Sequence, residues 1–243
     1  MDFIKKIYHK ILKKIAKDMN RLNYNDELYK RVFDYYRNRW NAIDDITDYL
    51  VGAEIPCDYC EFGVFQGTTF SYAYKMMHPI FKSMKFFAFD SFSGLPKPKG
   101  IDKLDRYSSS FYEGQFEYSE EMFISKLKEE HRDISKIISV KGWFNEILNS
   151  ELTKKYGIQN IAVAWVDCDL YESTVPVLEY ITDKVVTGSV VVFDDWHCYR
   201  NLPDFGEQRA CREWLEKNPD IVLHNLLSFG SHGVAFTVEK IIL

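Results

Sequence analysis

The chain has 243 residues, 46% hydrophobic, 28% charged and 16% aromatic, which excludes a disordered or collagen-like polymer and suits one large domain with an extension. The net charge of −5 is uneven: residues 1–17 hold six lysines against one aspartate, leaving the remainder at −10. A body that acidic is a poor partner for a nucleic-acid phosphate backbone.

Residues 1–17 place Ile4, Ile7, Tyr8, Ile11, Leu12 and Ile15 at helical spacing with lysines on the other faces. Such a basic amphipathic helix either packs on protein, the favoured reading, or makes weak contact with an anionic membrane surface. Its scattered lysines interrupt any signal-peptide core, and no apolar run approaches the roughly 20 residues that cross a bilayer. Five cysteines, an odd number, do not suggest a disulfide framework. The chain is therefore expected in the reducing cytoplasm, with the inner membrane face as a peripheral station.

Residues 26–50 read as one or two aromatic-striped helices, a core element or a homodimer surface. These and the basic helix form a helical extension over 1–55. From residue 56 onward short apolar strands alternate with amphipathic helices. The strands are CDYCEFGV, MKFFAFD, KIISV, IAVAWVD and GSVVVFD, with helices near 68–80, 119–130, 143–155 and 171–184. That alternation predicts an α/β fold: a mostly parallel, Rossmann-like sheet with helices on both faces. IVLHNLLSF and VAFTVEKIIL, joined across a glycine turn, predict a closing antiparallel hairpin. The irregular stretch 91–118, rich in Gly, Pro, Ser and Tyr, reads as a lid.

In an open parallel sheet, ligands bind beyond the carboxyl ends of the strands. The first strand ends in Glu61-Phe-Gly63-Val-Phe-Gln-Gly67-Thr68, where the glycines permit a sharp turn and close approach of a ligand. The second ends in Asp90, suited to accept hydrogen bonds from ribose hydroxyls. This layout fits an adenosine-containing ligand, either a nicotinamide dinucleotide or S-adenosylmethionine. Phe65 stands where a dinucleotide fingerprint has its second glycine, which favours S-adenosylmethionine, a ligand without a pyrophosphate.

The fourth strand ends in Asp167-Cys168-Asp169 and the fifth in Asp194-Asp195. Alternation along a strand would point Asp167 and Asp169 to one side. Neighbouring strands would then gather three or four carboxylates, which repel unless a cation or protons intervene. Oxygen ligands suit Mg²⁺ or Mn²⁺ rather than zinc. The competing reading makes Asp169 or Asp195 a helix cap. Cys57-x-x-Cys60 lacks a second pair at metal spacing and lies in a core strand, so two buried thiols are expected.

Glu61-x-Gly63-x-x-x-Gly67, Asp90-Ser-Phe-Ser-Gly-Leu-Pro96, Lys141-Gly-Trp-Phe144, Asp167-Cys-Asp-Leu-Tyr-Glu-Ser-Thr174 and Asp194-Asp195 together resemble the macrocin O-methyltransferase family over about residues 57–218. The resemblance implies an S-adenosylmethionine-dependent enzyme that methylates sugar hydroxyls, and a homodimer. It further implies that Glu61, Gly63, Phe65, Gly67 and Thr68 surround the donor, that Asp90 holds its ribose, and that Ser91, Phe92 and Trp143 line its adenine side. Asp167, Asp194 and Asp195 would hold Mg²⁺, with Asp169 as general base. Members usually carry glycine where Cys168 stands. His197 and His232 compete with Asp169 as base, each more simply a hydrogen-bonded loop residue.

The acceptor would be a nucleotide-linked sugar, a polysaccharide precursor or a glycosylated metabolite. A phenolic or phosphoryl oxygen is the alternative acceptor, and a non-catalytic S-adenosylmethionine-binding scaffold the alternative role. In the enzyme, Tyr107, Phe111 and Tyr112 of the lid would close over the site.

Overall fold

A computed structural model describes residues 27–103 and 111–241. The basic helix at 1–17 and Tyr107 of the lid lie outside the described residues. Helix α1 runs unbroken over Glu27–Ala53, so the described part of the segment expected as one or two helices is a single helix. Its buried positions, Val32, Arg39, Ala42, Ile43, Ile46, Thr47 and Leu50, follow the helical repeat and trace one stripe.

The elements that follow are β1 (Asp58–Phe62), α2 (Thr68–Met77), β2 (Phe86–Asp90), a 3₁₀ turn (Gly100–Lys103), α3 (Glu120–Glu130) and β3 (Ile137–Lys141). The segment expected as one helix over 143–155 is two, α4 (Phe144–Ile147) and α5 (Ser150–Tyr156). They are divided where the Asn149 side chain accepts from the Glu151 and Leu152 amides and so starts a new helix. The chain continues through β4 (Ile161–Val166), α6 (Tyr171–Ile181), β5 (Val185–Phe193), a single left-handed turn labelled α7 (Cys198–Asn201), α8 (Gly206–Lys217), β6 (Ile221–Phe229) and β7 (Gly233–Lys240).

The seven strands lie in the order β3-β2-β1-β4-β5-β7-β6. The first five are parallel, and β7 runs antiparallel to both β5 and β6. The closing hairpin therefore inserts its second strand against β5 and leaves β6 at the edge.

Alternation along each strand divides the core into two layers. Tyr59, Phe86, Ala88, Val163, Trp165 and Val192 face α1, α2 and α3. Cys60, Phe62, Phe87, Phe89, Ala164 and Phe193 face α6 and α8. Every residue of β4 is buried, as expected of a parallel strand covered on both sides.

The strand order reverses between β1 and β4, and there the carboxyl ends open into a crevice. The ladder continues one residue past each strand: the Asp167 amide donates to the Phe62 carbonyl (2.9 Å) and the Asp194 amide to the Val166 carbonyl (2.9 Å). Those two bonds seat the carboxylates of β4 and β5 side by side. No helix among the described residues is long and apolar enough to cross a membrane.

Candidate active site

A cavity of about 460 Å³ opens at this crevice. Gly63, Phe65, Asp90 and Ser91 line it from the β1 and β2 ends, and Trp143 from the start of α4. Asp167, Asp169 and Asp195 form its acidic side.

Asp167, Asp194 and Asp195 each offer a carboxylate oxygen within 4.8 Å of the other two. Asp194 is 1% exposed. Its Oδ2 is ion-paired with Arg39, whereas its Oδ1 has no hydrogen-bond partner. Asp195 Oδ1 accepts from the Cys198 thiol (3.1 Å), while its buried Oδ2 also has none. Buried acceptors left unpaired are costly, and either a proton or a cation would relieve this cluster.

Burial pushes Asp194 up to about 6, against the lowering pull of Arg39. Burial, reinforced by the neighbouring carboxylates, also holds Asp167 and Asp169 well above the usual carboxylate range.

Asp169 joins the cavity by a route that strand alternation does not describe. β4 ends at Val166, and Asp169 adopts left-handed backbone at φ 58°. Neither Asp169 nor Asp195 caps a helix through its carboxylate. The first amides of α6, from Tyr171 and Glu172, donate instead to Asp102 of the 3₁₀ turn at 2.9 and 3.0 Å.

The family described as macrocin O-methyltransferase (TylF) matches residues 14–218 of the chain. The chain belongs to that family. It is an S-adenosylmethionine-dependent O-methyltransferase. The fold is shared with the O-methyltransferase NovP (20% identity, TM-score 0.72, 99% of each chain). It is also shared with the calicheamicin methyltransferase CalS11 (23% identity, TM-score 0.67, 96% of this chain and 91% of that one). A Bacillus cereus O-methyltransferase in complex with SAH is similar at 10% identity and a TM-score of 0.54, over 96% of this chain and 91% of that one. No curated protein sequence matches the chain at significance.

In this methyltransferase the donor-side residues divide into two sets. Gly63 has φ 92°, and a Cβ there would stand 2.0 Å from the Asp167 carbonyl oxygen; only glycine lets β1 and β4 meet this closely at the cavity floor. The Asp90 carboxylate accepts from the Val64 and Phe65 amides on Oδ2 (2.8 and 3.1 Å) and from the Phe92 amide on Oδ1 (2.7 Å). Three of its roughly four lone-pair positions are thus occupied. It ties the β1 and β2 loops together.

Four other residues assigned to the donor are held by neighbouring side chains. Glu61 is buried inside the sheet and accepts the Tyr59 hydroxyl proton. Gly67 begins α2 where a Cβ would strike the Phe123 ring at 2.5 Å. Thr68 Oγ1 accepts from the Lys126 ammonium (3.0 Å), and Phe92 is buried against Phe123, with ring centroids 5.6 Å apart. For Gly67, Thr68 and Phe92 the cause is α3, whose Phe123 and Lys126 meet them, whereas Glu61 is held by Tyr59 of its own strand.

His197 does not line the cavity; its Nδ1 meets Asn201 Oδ1 at 2.9 Å. His232 is exposed in the hairpin turn and gives its carbonyl to the His197 amide (3.0 Å). Both are hydrogen-bonded loop residues. Cys57 and Cys60 are free thiols, the first half-buried and the second buried.

The lid folds back on itself, with the Leu95 amide donating to Gln115 O (2.7 Å) and the Gly114 amide to Leu95 O (2.9 Å). Phe116 and Tyr118 then pack on Phe65, at ring-centroid distances of 5.6 and 6.1 Å. Phe111 packs on Tyr199 (5.9 Å), while Tyr112 is exposed.

Two charged residues at this site were missed by motif reasoning. Arg39 comes from α1, and Glu207 comes from α8, where its Oε2 accepts the Asp195 amide (2.9 Å). Each carried a signal: Arg39 is in phase with Ala42, Ile43 and Ile46, and Glu207 with Ala210, Cys211 and Trp214. A charge on an apolar stripe announces a buried partner.

Proposed function

We propose that the chain moves the methyl group of S-adenosylmethionine to a sugar hydroxyl, with Asp167, Asp194 and Asp195 holding one Mg²⁺ or Mn²⁺ and Asp169 taking the proton. The observation that carries this reading is the pair of buried, partnerless oxygens, Asp194 Oδ1 and Asp195 Oδ2, within a three-carboxylate cluster at the cavity. An all-oxygen donor set fits a hard dication. The sugar acceptor is supported by the family itself and by the printed description of CalS11 as a TDP-rhamnose 3'-O-methyltransferase.

Methyl transfer from a sulfonium is an in-line displacement: an oxygen–carbon bond forms as the carbon–sulfur bond breaks, and the hydroxyl proton must leave. The dication, when bound, supplies Lewis-acid polarisation of a hydroxyl oxygen. Asp169 supplies the base, and its burial beside other carboxylates raises its affinity for a proton. The lid rings over Phe65 exclude water, and the crevice holds donor and acceptor in one orientation.

The test is turnover of a nucleotide-linked sugar with Mg²⁺ against EDTA, together with an Asp194→Ala variant. Full activity in EDTA, or in the variant, would refute the metal reading. A phenolic acceptor is the second reading, favoured by the rings of Tyr35, Phe65, Phe116 and Trp143 that line the cavity. Release of S-adenosylhomocysteine across a panel of sugars and catechols separates the two.

A further inference from the structure

We infer that Arg39 is a positioning residue for the divalent cation: it aims Asp194 into the carboxylate cluster and so makes helix α1 part of the active site. The inference rests on the metal reading above and adds a residue from outside the β-strand ends.

Arg39 lies 155 residues before Asp194, yet both are nearly sealed from solvent, at 5% and 1% exposure. Its guanidinium is held on three sides. Nη2 pairs with Asp194 Oδ2 and donates to the Tyr35 hydroxyl. Nη1 donates to the Tyr35 carbonyl (3.3 Å), and the guanidinium carbon sits 3.5 Å from the centre of the Tyr35 ring. Arg39 meets Asp194 through Nη2 alone, and its contacts with Tyr35 fix the plane of the guanidinium, which a flexible ammonium would not keep. With Oδ2 taken by Arg39, Oδ1, the atom without a partner, is the Asp194 oxygen left for a cation.

The charge count points the same way. Asp167, Asp194 and Asp195 carry three negative charges when ionised, and Arg39 returns one positive charge. Asp169 and Glu207 add further carboxylates to this site, so the guanidinium offsets only part of the negative charge in a region where uncompensated charge is expensive, and a cation would offset more of it. Tyr35, which Arg39 grips, also lines the cavity. One guanidinium therefore joins the cluster, the helix and the cavity wall.

The test is Mn²⁺ binding to the full chain, by calorimetry and by the electron paramagnetic resonance of free Mn²⁺, for wild type, Arg39→Met and Arg39→Lys. Loss of an outer partner of a ligating carboxylate weakens metal affinity by about 10–100-fold. Arg39→Met is expected in that range, and Arg39→Lys, which keeps the charge but not the fork, between it and wild type. S-adenosylhomocysteine affinity should be unchanged in both. In the wild type, Mn²⁺ should also slow amide exchange in α1, and in Arg39→Met it should not.

If Arg39→Met does not fold, Arg39→Lys alone decides, since its buried charge is retained. A wild type that takes up no Mn²⁺ overturns the metal reading itself. A wild type that binds Mn²⁺, with variants that bind it equally or more tightly, overturns only the role of Arg39, which would then be a competitor for Asp194.

Discussion

The Tyr199 hydroxyl donates to the main-chain carbonyl of Asp169 at 2.8 Å, and both residues are in left-handed backbone, at φ 55° and 58°. Tyr199 opens a run of three such residues, continued by Arg200 and Asn201, and its ring is stacked on Phe205. Non-glycine residues at positive φ cost roughly 1–3 kcal/mol each and persist only where their surroundings hold them. Here one strained turn braces another, and the carboxylate on the second is the proposed base.

Tyr199→Phe removes that brace while keeping the ring packing. Its kcat is expected to fall about tenfold with little change in acceptor KM, because a slightly misplaced base slows chemistry more than binding. Asp169→Asn should lose at least roughly 100-fold. Steady-state kinetics on both variants check this, and a Tyr199→Phe enzyme with wild-type kcat would show that the brace is idle.

Asp102 caps α6 from the lid, and its carboxylate is buried with two amides bonded to it. Asp102→Ala should cost about 1 kcal/mol, the usual loss for a helix N-cap. Urea unfolding at pH 7 measures it; an unchanged midpoint would mean that solvent replaces the cap without penalty.

Gly63→Ala places a methyl group 2.0 Å from the Asp167 carbonyl oxygen at φ 92°. Something must move, and the atom in the way is backbone. A destabilisation on the order of 3 kcal/mol is expected, along with loss of metal affinity, because the same shift displaces Asp167. Thermal melting with and without Mn²⁺ reads both effects.

The buried carboxylates give the metal-free protein a defined pH response. Asp194 has a folded pKa of about 6 against an ordinary 3.8, so between those values the folded state binds more protons than the unfolded one. Stability of the EDTA-treated protein should therefore fall as pH rises through that window. At pH 7 added Mg²⁺ should raise the melting temperature by binding the folded state, and near pH 5 the gain should shrink because protons occupy the cluster. Melting curves across pH 4.5–7.5 test the sign: a chelated protein that gains stability from pH 5 to 7 contradicts it.

Much of this protein was legible before any coordinates. The apolar runs ending in Asp90, Asp167 and Asp194 announced parallel strands, because a strand covered on both faces has no place for a charge until it ends. The same logic brought Asp167, Asp194 and Asp195 together. What misled was extending strand alternation past its end: Asp169 reaches the cavity through a left-handed turn that Tyr199 secures. The surroundings of Glu61, Gly67, Thr68 and Phe92 are set by Tyr59, Lys126 and Phe123, contacts that motif position alone does not reveal.

By itself the chain's order of residues determined the strands, the helices between them and the acidic ends of β4 and β5. These follow from periodicity and burial, which act over a few neighbouring residues. Only the tertiary structure decided that Arg39 meets Asp194, that Asp102 caps α6 and that Glu207 backs Asp195. Such pairs depend on how helices settle against a finished sheet, and no local rule carries information across 155 residues of chain.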